Sequence, residues 1–203
     1  MKNKILLITN IPTPYRLPIF KILNEQLNIK FVFCSKIEKN RSWKIDKRQL
    51  NINHTFLSKN KNYVHTNPGI FKLLYYEKPN IIITSGFYPT MIFAFLYSLI
   101  FRIKHIVFTD GTLDSESRLT IIHMLVRKVF FRYSKSFIAA SDKSISLFES
   151  YGINRCKIYK SHLCVDNLKF NSNKKVKKYD LMFSGQFIER KNPIFFVNLF
   201  QKL

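Results

Sequence analysis

Acidic residues are scarce in this chain, 12 against 34 Lys and Arg, so the places where they gather are informative. Asp110, Asp114 and Glu116 fall within seven residues, directly behind the apolar run His105–Thr109. If that run is a strand of a parallel sheet, Asp110 faces the ligand crevice, because such sheets bind ligands outside the carboxyl ends of their strands. Asp110 precedes Gly111 and is the candidate catalytic carboxylate. A loop-stabilising role is the other reading open to it. Asp114 and Glu116 read as structural: Asp114 or Ser115 can N-cap a following helix, and Glu116 in its first turn complements the helix dipole.

A second chemical candidate is Phe183–Pro193. A strand ends, Gly185 allows close backbone approach, Gln186 follows, Arg190 and Lys191 supply two cations, and a helix starts at about Pro193. Helix N-terminal amides together with cationic side chains suit a diphosphate. Neither a P-loop nor a G-x-G-x-x-G fingerprint is present. The five His residues are not paired at i, i+3 or i+4 with His or Cys, so no metal site is expected. Cys34, Cys156 and Cys164 are too few and too scattered for a disulfide framework, which fits a reducing, cytoplasmic compartment.

These residues need elements to hold them. Strand candidates are Lys4–Thr9, Lys30–Phe33, Asn80–Ser85, His105–Thr109, Ser136–Ala139, Lys157–Ser161 and Asp180–Ser184, with one more short strand at His54–Leu57. They are apolar without strict alternation, as in parallel sheets covered on both faces. Helix candidates are Tyr15–Gln26, Gly69–Glu77, Pro89–Phe101, Ser115–Tyr133, Asp142–Tyr151 and Pro193–Leu203. The alternation predicts an α/β class, a Rossmann-like doubly wound parallel sheet. Pro89 and Pro193 sit where a first helical position needs no N–H. Gly86, Gly111 and Gly185 follow strands, either as tight-turn residues or as close-approach residues for a ligand. Gly152 is placed for a left-handed helix C-cap. Pro12, Pro14 and Pro18 stiffen the turn after the first strand.

The formal charge is +22 and the hydrophobic content 46%. Global disorder is excluded by the apolar content. The charge attracts phosphate of any kind, whether nucleic acid or lipid headgroup. Neither an RNA-binding aromatic signature nor a recognition-helix pattern is present, so nucleic acid is the weaker reading. The N-terminal Met1–Thr9 reads as a buried strand rather than a signal peptide. Met91–Ile103 is shorter than the roughly 20 residues that span a bilayer and reads as a buried helix.

Four stretches in this order, Ile8–Pro18, Pro79–Thr112, Phe137–Ser141 through Val165-Asp166, and Phe183–Pro193, resemble bacterial GT-B glycosyltransferases of family 4. The resemblance implies an acceptor-side Rossmann-like domain over 1–168, a basic linker over 169–178, and the start of a donor-binding domain over 179–203. It implies transfer of a sugar from a nucleotide-diphosphate sugar to a saccharide or lipid-linked saccharide of a surface polysaccharide, with retention at the anomeric carbon and without a metal or other cofactor. In the donor loop, Lys191 falls on the family lysine that contacts the donor phosphates. Gln186 stands where an arginine is usual, with Arg190 as the nearby cation beside Gly185. Asp110 falls near a position where many relatives carry a histidine beside the reacting sugar. Pro12, Thr13, Tyr15 and Arg16 form the acceptor-side loop, in place of the usual Gly-Gly turn. The family's Glu-x7-Glu motif lies well downstream of its donor loop, beyond the span of this chain. The expectation is therefore an incomplete enzyme at the inner face of the cell membrane, docked on anionic lipid. The alternatives are an inactive remnant, a half-enzyme that needs a separate C-terminal half, or a basic nucleic-acid-binding protein.

Overall fold

The computed structural model describes residues 3–38, 41, 47–58, 66–117, 119–167 and 180–201. The chain divides into two compact units, Met1–Asp166 and Asn167–Leu203. The expected basic linker 169–178 lies outside the described residues.

The first unit is built on seven strands, β1 Ile5–Thr9, β2 Ile29–Ser35, β3 His54–Ser58, β4 Ile81–Thr84, β5 Lys104–Thr109, β6 Ser136–Ala139 and β7 Ile158–Lys160. Every pairing is parallel and the order is β3-β2-β1-β4-β5-β6-β7. The α/β Rossmann-like class is therefore as the apolar runs predicted, and the short His54 strand is present. Six helices of this unit connect the strands: α1 Leu17–Gln26, α2 Gly69–Glu77, α3 Pro89–Ile100, α4 Leu113–Glu116, α5 Ile121–Tyr133 and α6 Asp142–Ser150.

Side chains alternate across a strand, and register neighbours share a face. Val32, Ile8, Thr84, Val107, Phe137 and Ile158 form one such row across six strands. All six are buried. Around this row pack Ile70 and Leu74 of α2, Met91 and Ala94 of α3, Phe130 and Phe131 of α5, and Phe148 of α6. Phe95 stacks on Phe130 at 4.1 Å between ring centroids. The other face is filled over β1 and β2 by Leu17 and Phe20 of α1, with Phe20 stacked 4.5 Å from Phe31. At the amino edge, Glu77 at the end of α2 bridges Lys4 and Lys30, both at 2.6 Å, which ties that helix to β1 and β2. These two hydrogen-bonded partners hold the Glu77 carboxyl below its ordinary range.

One polar network lies inside the apolar layer. His105 is 2% exposed, and its Nδ1 lies 2.7 Å from Ser134 Oγ and its Nε2 3.1 Å from Thr84 Oγ1. Ser134 donates its only O–H to the Phe130 carbonyl at 2.6 Å. Its oxygen must then accept from Nδ1–H, so the ring is the neutral tautomer whose Nε2 accepts from Thr84. Burial pushes the His105 pKa down to about 3.

Three local expectations are corrected. Helix Ser115–Tyr133 is two helices, α4 ending at Glu116 with Ser117 as its C-cap and α5 starting at Ile121 with Thr120 as its N-cap. The cap of α4 is Thr112, not Asp114 or Ser115: its Oγ1 accepts from Ser115 N–H at 3.3 Å while Ser115 Oγ accepts from Thr112 N–H at 2.9 Å. A reciprocal pair of this kind satisfies two orphan amides at once. Third, Asp180–Ser184 carries no strand. A strand needs a neighbouring ladder for its N–H and C=O groups, and the described residues of the second unit provide none.

The second unit holds a 3-10 turn at Glu189–Lys191 and helix α7 Pro193–Phe200. Asn192, at φ 46°, caps α7 by accepting from Phe195 N–H at 3.2 Å. Pro89 and Pro193 both open their helices as predicted. Gly152 follows α6 at φ 78°, the left-handed conformation foreseen for it.

Candidate functional site

The strand order reverses between β1 and β4, and the carboxyl ends of β1, β4 and β5 lie side by side there. Open parallel sheets bind ligands at such a switch point. A cleft of about 670 Å³ occupies it, lined by Asn10 after β1, Ser85–Pro89 after β4, Thr109–Gly111 after β5, Ser115, Glu116, Leu119, His123 and Arg127.

The floor is shaped by close backbone approach. Gly86 has φ 147°, a conformation that side-chain-bearing residues rarely adopt, and a Cβ there would lie 3.3 Å from Met91 Sδ. Gly111 donates its N–H to Thr109 Oγ1 at 3.0 Å. A Cβ at Gly111 would come within 3.5 Å of Glu116 Oε1.

Glu116 and Arg127 form an ion pair on the cleft wall, each side chain 11% exposed. Arg127 is fixed from two more sides. Its guanidinium carbon lies 4.3 Å from the Phe87 ring centroid, and Nη1 donates to the His123 carbonyl at 3.1 Å. Burial raises the Glu116 carboxyl above its ordinary range against the opposing pull of Arg127. His123 is exposed in the first turn of α5, with Nδ1 2.8 Å from Thr120 Oγ1. Asp110 is exposed on the cleft wall.

Two further atoms give the cleft its polarity. Asn10 Oδ1 and Ser85 Oγ are buried and have no hydrogen-bond partner among the described residues. Leaving such a group unpaired costs about 1–3 kcal/mol. Both residues line the cleft. An amide oxygen, hydroxyls, a carboxylate, an imidazole and an ion pair around one apolar-floored cleft can hold a polyhydroxylated ligand.

Of the residues singled out from the sequence, Asp110, Gly86, Gly111 and Glu116 line this cleft. Pro12, Thr13, Tyr15 and Arg16 follow β1 but do not line it. Arg16 lies over the Phe108 ring at 5.5 Å and borders a separate apolar pocket of about 290 Å³ on the α1 face of the sheet. Gly185, Gln186, Arg190 and Lys191 belong to the second unit. There Gly185 packs beside Lys191: a Cβ on Gly185 would lie 3.8 Å from Lys191 Cβ and 3.3 Å from the Phe183 ring. Sequence reasoning gave no role to Asn10, Ser85, Phe87, His123 and Arg127, and read Glu116 as a partner of the helix dipole only. The one signal available was Thr120, a residue type that favours the N-cap position, inside an apparent helix. Among the described residues no group of three His, Cys, Asp or Glu could hold a metal ion. No helix among them is long and apolar enough to cross a membrane.

No family model and no curated protein matches the chain. Solved structures do match its fold. HepE from Anabaena in complex with UDP-glucose aligns with a TM-score of 0.62 and 14% identity over 85% of this chain and 47% of that one. MnaA from S. aureus with UDP aligns with a TM-score of 0.57 and 17% identity over 88% and 48%. UDP-GlcNAc 2-epimerase from Methanocaldococcus jannaschii aligns with a TM-score of 0.52 and 20% identity over 77% and 45%. At these identities the likeness is one of fold, and this chain spans less than half the length of each of the three.

Proposed function

We propose that the chain is the acceptor-side half of a nucleotide-sugar enzyme, a glycosyltransferase of the GT-B family 4 type. The observation that carries this reading is the pair of buried, unpartnered polar atoms, Asn10 Oδ1 and Ser85 Oγ, in the cleft at the sheet's switch point. The fold neighbours support it, since HepE is seen with UDP-glucose, MnaA with UDP, and the third is a UDP-GlcNAc 2-epimerase.

In this reading the reacting sugar and the acceptor hydroxyl meet in the cleft. The bond from the anomeric carbon to the diphosphate oxygen breaks, and its electron pair leaves with the diphosphate. The acceptor oxygen bonds to that carbon from the face the diphosphate leaves, which retains the configuration, and its proton passes to the departing diphosphate oxygen while the Asp110 carboxylate offsets the positive charge developing on the sugar. Ser85 and Asn10 hold sugar hydroxyls, and the Glu116–Arg127 pair keeps the wall in place. In the second unit, the loop that carries Gly185, Gln186, Arg190 and Lys191 has the cations and glycine suited to a donor diphosphate. The acceptor is a saccharide or lipid-linked saccharide, the product is retained in configuration, and the protein works at an anionic membrane surface. A donor-binding half, continuous or separate, completes the enzyme.

The test is titration of the full chain with UDP-glucose and UDP-GlcNAc by calorimetry, alongside Ser85→Ala and Asp110→Asn. Binding that weakens at least tenfold in Ser85→Ala supports the reading. Equal affinity in all three proteins rejects the cleft as the site. Robust sugar transfer by this chain alone would reject the half-enzyme part of the reading.

A further inference from the structure

A second cleft, of about 670 Å³, opens at the other end of the sheet, where β6 and β7 begin. Its walls come from the last turns of α5, from the loop after α6 at Tyr151 to Asn154, and from Lys157 just ahead of β7. Phe131 and Phe137 belong to the core beneath it. Tyr151 is held edge-on against Phe131 at 4.8 Å between ring centroids. Past the carboxyl end of α6 the space is open, since a Cβ on Gly152 would meet nothing within 4 Å. Small-molecule sites occupy about 300–1,000 Å³, so the cleft is of ligand size.

Three cations line it, Lys128, Arg132 and Lys157, and among the described residues no acid does. Lys128 and Arg132 stand one turn apart on α5, where like charges repel. None of the three forms an ion pair among the described residues. Elsewhere cations that converge share an acid, as Lys4 and Lys30 share Glu77. Glu149, the nearest acid in sequence, is exposed and does not line the cleft. The carboxyl ends of α5 and α6 bring about half a negative charge each, too little to balance three full cations. Part of that is already answered, because the Phe148 and Glu149 carbonyls accept from the N–H groups of Ile153 and Gly152. Complementing the helix dipole accounts for Arg132 in the last turn of α5. It leaves Lys128 unexplained, and Lys157 sits on a different element.

Two more groups select the ligand. Tyr133 is 62% exposed at the rim, and its ring meets no other ring among the described residues. Asn154 Oδ1 accepts from Cys156 N–H at 3.0 Å, which leaves the amide NH2 as a donor. An aromatic face beside converging cations suits a molecule that joins a flat ring to several negative charges. Arg132 offers phosphate a two-pronged fork, and the lysines act as point charges.

We propose that this cleft is a second ligand site, for a nucleoside di- or triphosphate. Its phosphates lie on Lys128, Arg132 and Lys157, Asn154 donates to an oxygen, and the base stacks on Tyr133. The site lies where the strands begin and the switch-point cleft where they end, so neither reading depends on the other.

The test is titration of the full chain with ADP at about 0.15 M salt, where charges beyond about 8 Å are screened, followed by calorimetry and amide chemical shifts. A net charge of +22 attracts any anion. K128Q/R132Q/K157Q is therefore compared with K21Q/K72Q/K104Q, which removes the same charge from exposed lysines elsewhere. Shifts are expected at Tyr133, Gly152, Ile153, Asn154 and Lys157. The first triple variant should bind ADP about tenfold or more weakly, and the second within about twofold of wild type. Tyr133→Ala should weaken ADP several-fold and leave pyrophosphate unchanged. Every substituted side chain is exposed, and thermal melts that match wild type show that the variants fold.

Equal weakening in the two triple variants would overturn the proposal, because net charge alone would then account for binding. Absence of ADP binding, or shifts confined to the switch-point cleft or the second unit, would do the same. Pyrophosphate bound as tightly as ADP would overturn the nucleoside assignment. A single-stranded oligonucleotide that binds far tighter than ADP, and loses that advantage in K128Q/R132Q/K157Q, would assign the cations to nucleic acid instead. Because the two clefts are read by shifts at opposite ends of the sheet, failure here leaves the UDP-glucose titration to judge the other separately.

Discussion

Glu116 and Arg127 meet as a nearly buried ion pair although eleven positions separate them in the chain. On a continuous helix that spacing would set them roughly 16 Å apart along the axis. The break between α4 and α5 folds the chain back and closes the gap. Arg127 is then held by Phe87 and the His123 carbonyl as well. Removing one partner of a buried pair leaves the other charge uncompensated, at a cost of about 3–5 kcal/mol, with the lower end fitting side chains that keep some exposure. Arg127→Met and Glu116→Gln should each lower unfolding stability by about 3 kcal/mol. The double variant should be less destabilised than the sum, as a urea double-mutant cycle would record. Additive losses would mean that the two residues act separately.

The cleft atoms predict a loss of binding without a loss of stability. Ser85 Oγ has no partner among the described residues and is buried. Deleting an unpaired buried hydroxyl removes that cost and is neutral or stabilising for folding. Ser85→Ala should leave stability unchanged or raise it by about 1 kcal/mol while UDP-sugar affinity falls about tenfold. A loss of more than about 1 kcal/mol in urea unfolding would show that the hydroxyl serves the fold instead.

Gly86 tests the backbone under the site. Its φ of 147° is strained for any residue with a Cβ, and the added atom would meet Met91 Sδ at 3.3 Å. Gly86→Ala should cost about 1–3 kcal/mol. Adding Met91→Leu should not restore it, because the strain lies in the dihedral angle rather than in the contact. Denaturant midpoints of the single and double variants check this.

His105 makes stability depend on pH. Its pKa is about 3 in the folded protein and about 6.5 when unfolded. The unfolded state therefore binds the extra proton between these values, and stability falls as pH drops through that window, by at most about 1.4 kcal/mol per pH unit. Glu77, whose folded carboxyl is held low by Lys30 and Lys4, adds a loss in the same direction below about pH 4.5, its unfolded range. Glu116 is raised and so acts with the opposite sign. Between pH 6.5 and 5 the histidine dominates. Urea unfolding across that range should show a loss of about 2 kcal/mol in wild type and a flatter profile in His105→Gln. Equal slopes would remove His105 as the cause.

The strands were legible because Ile81-Ile82-Ile83 and Phe31-Val32-Phe33 are apolar on both faces, and only a sheet covered on both sides uses such runs. The site was half legible. Asp110 announced itself by following a strand in a chain with few acids. Asn10 and Ser85 did not, because a polar residue after a strand is ordinary. Their meaning arises only where β1 and β4 become neighbours, with Ile8 beside Thr84 although 76 positions apart. The α4–α5 break was hidden because it contains neither Gly nor Pro. It rests on the extended backbone of Thr120 and on a tertiary ion pair, which no local pattern encodes. Asp180–Ser184 has the composition of a strand, but composition does not supply a neighbouring edge.

The central claim is that sugar binds where β1, β4 and β5 end. Amide chemical-shift mapping of the full chain during titration with UDP-glucose and UDP-GlcNAc tests it most directly. The account predicts shifts concentrated at Asn10, Ser85–Tyr88, Asp110–Gly111, Glu116 and His123, and their loss in Ser85→Ala. Shifts confined to the apolar pocket beside Arg16, or no shifts in the first unit at saturating ligand, would contradict it.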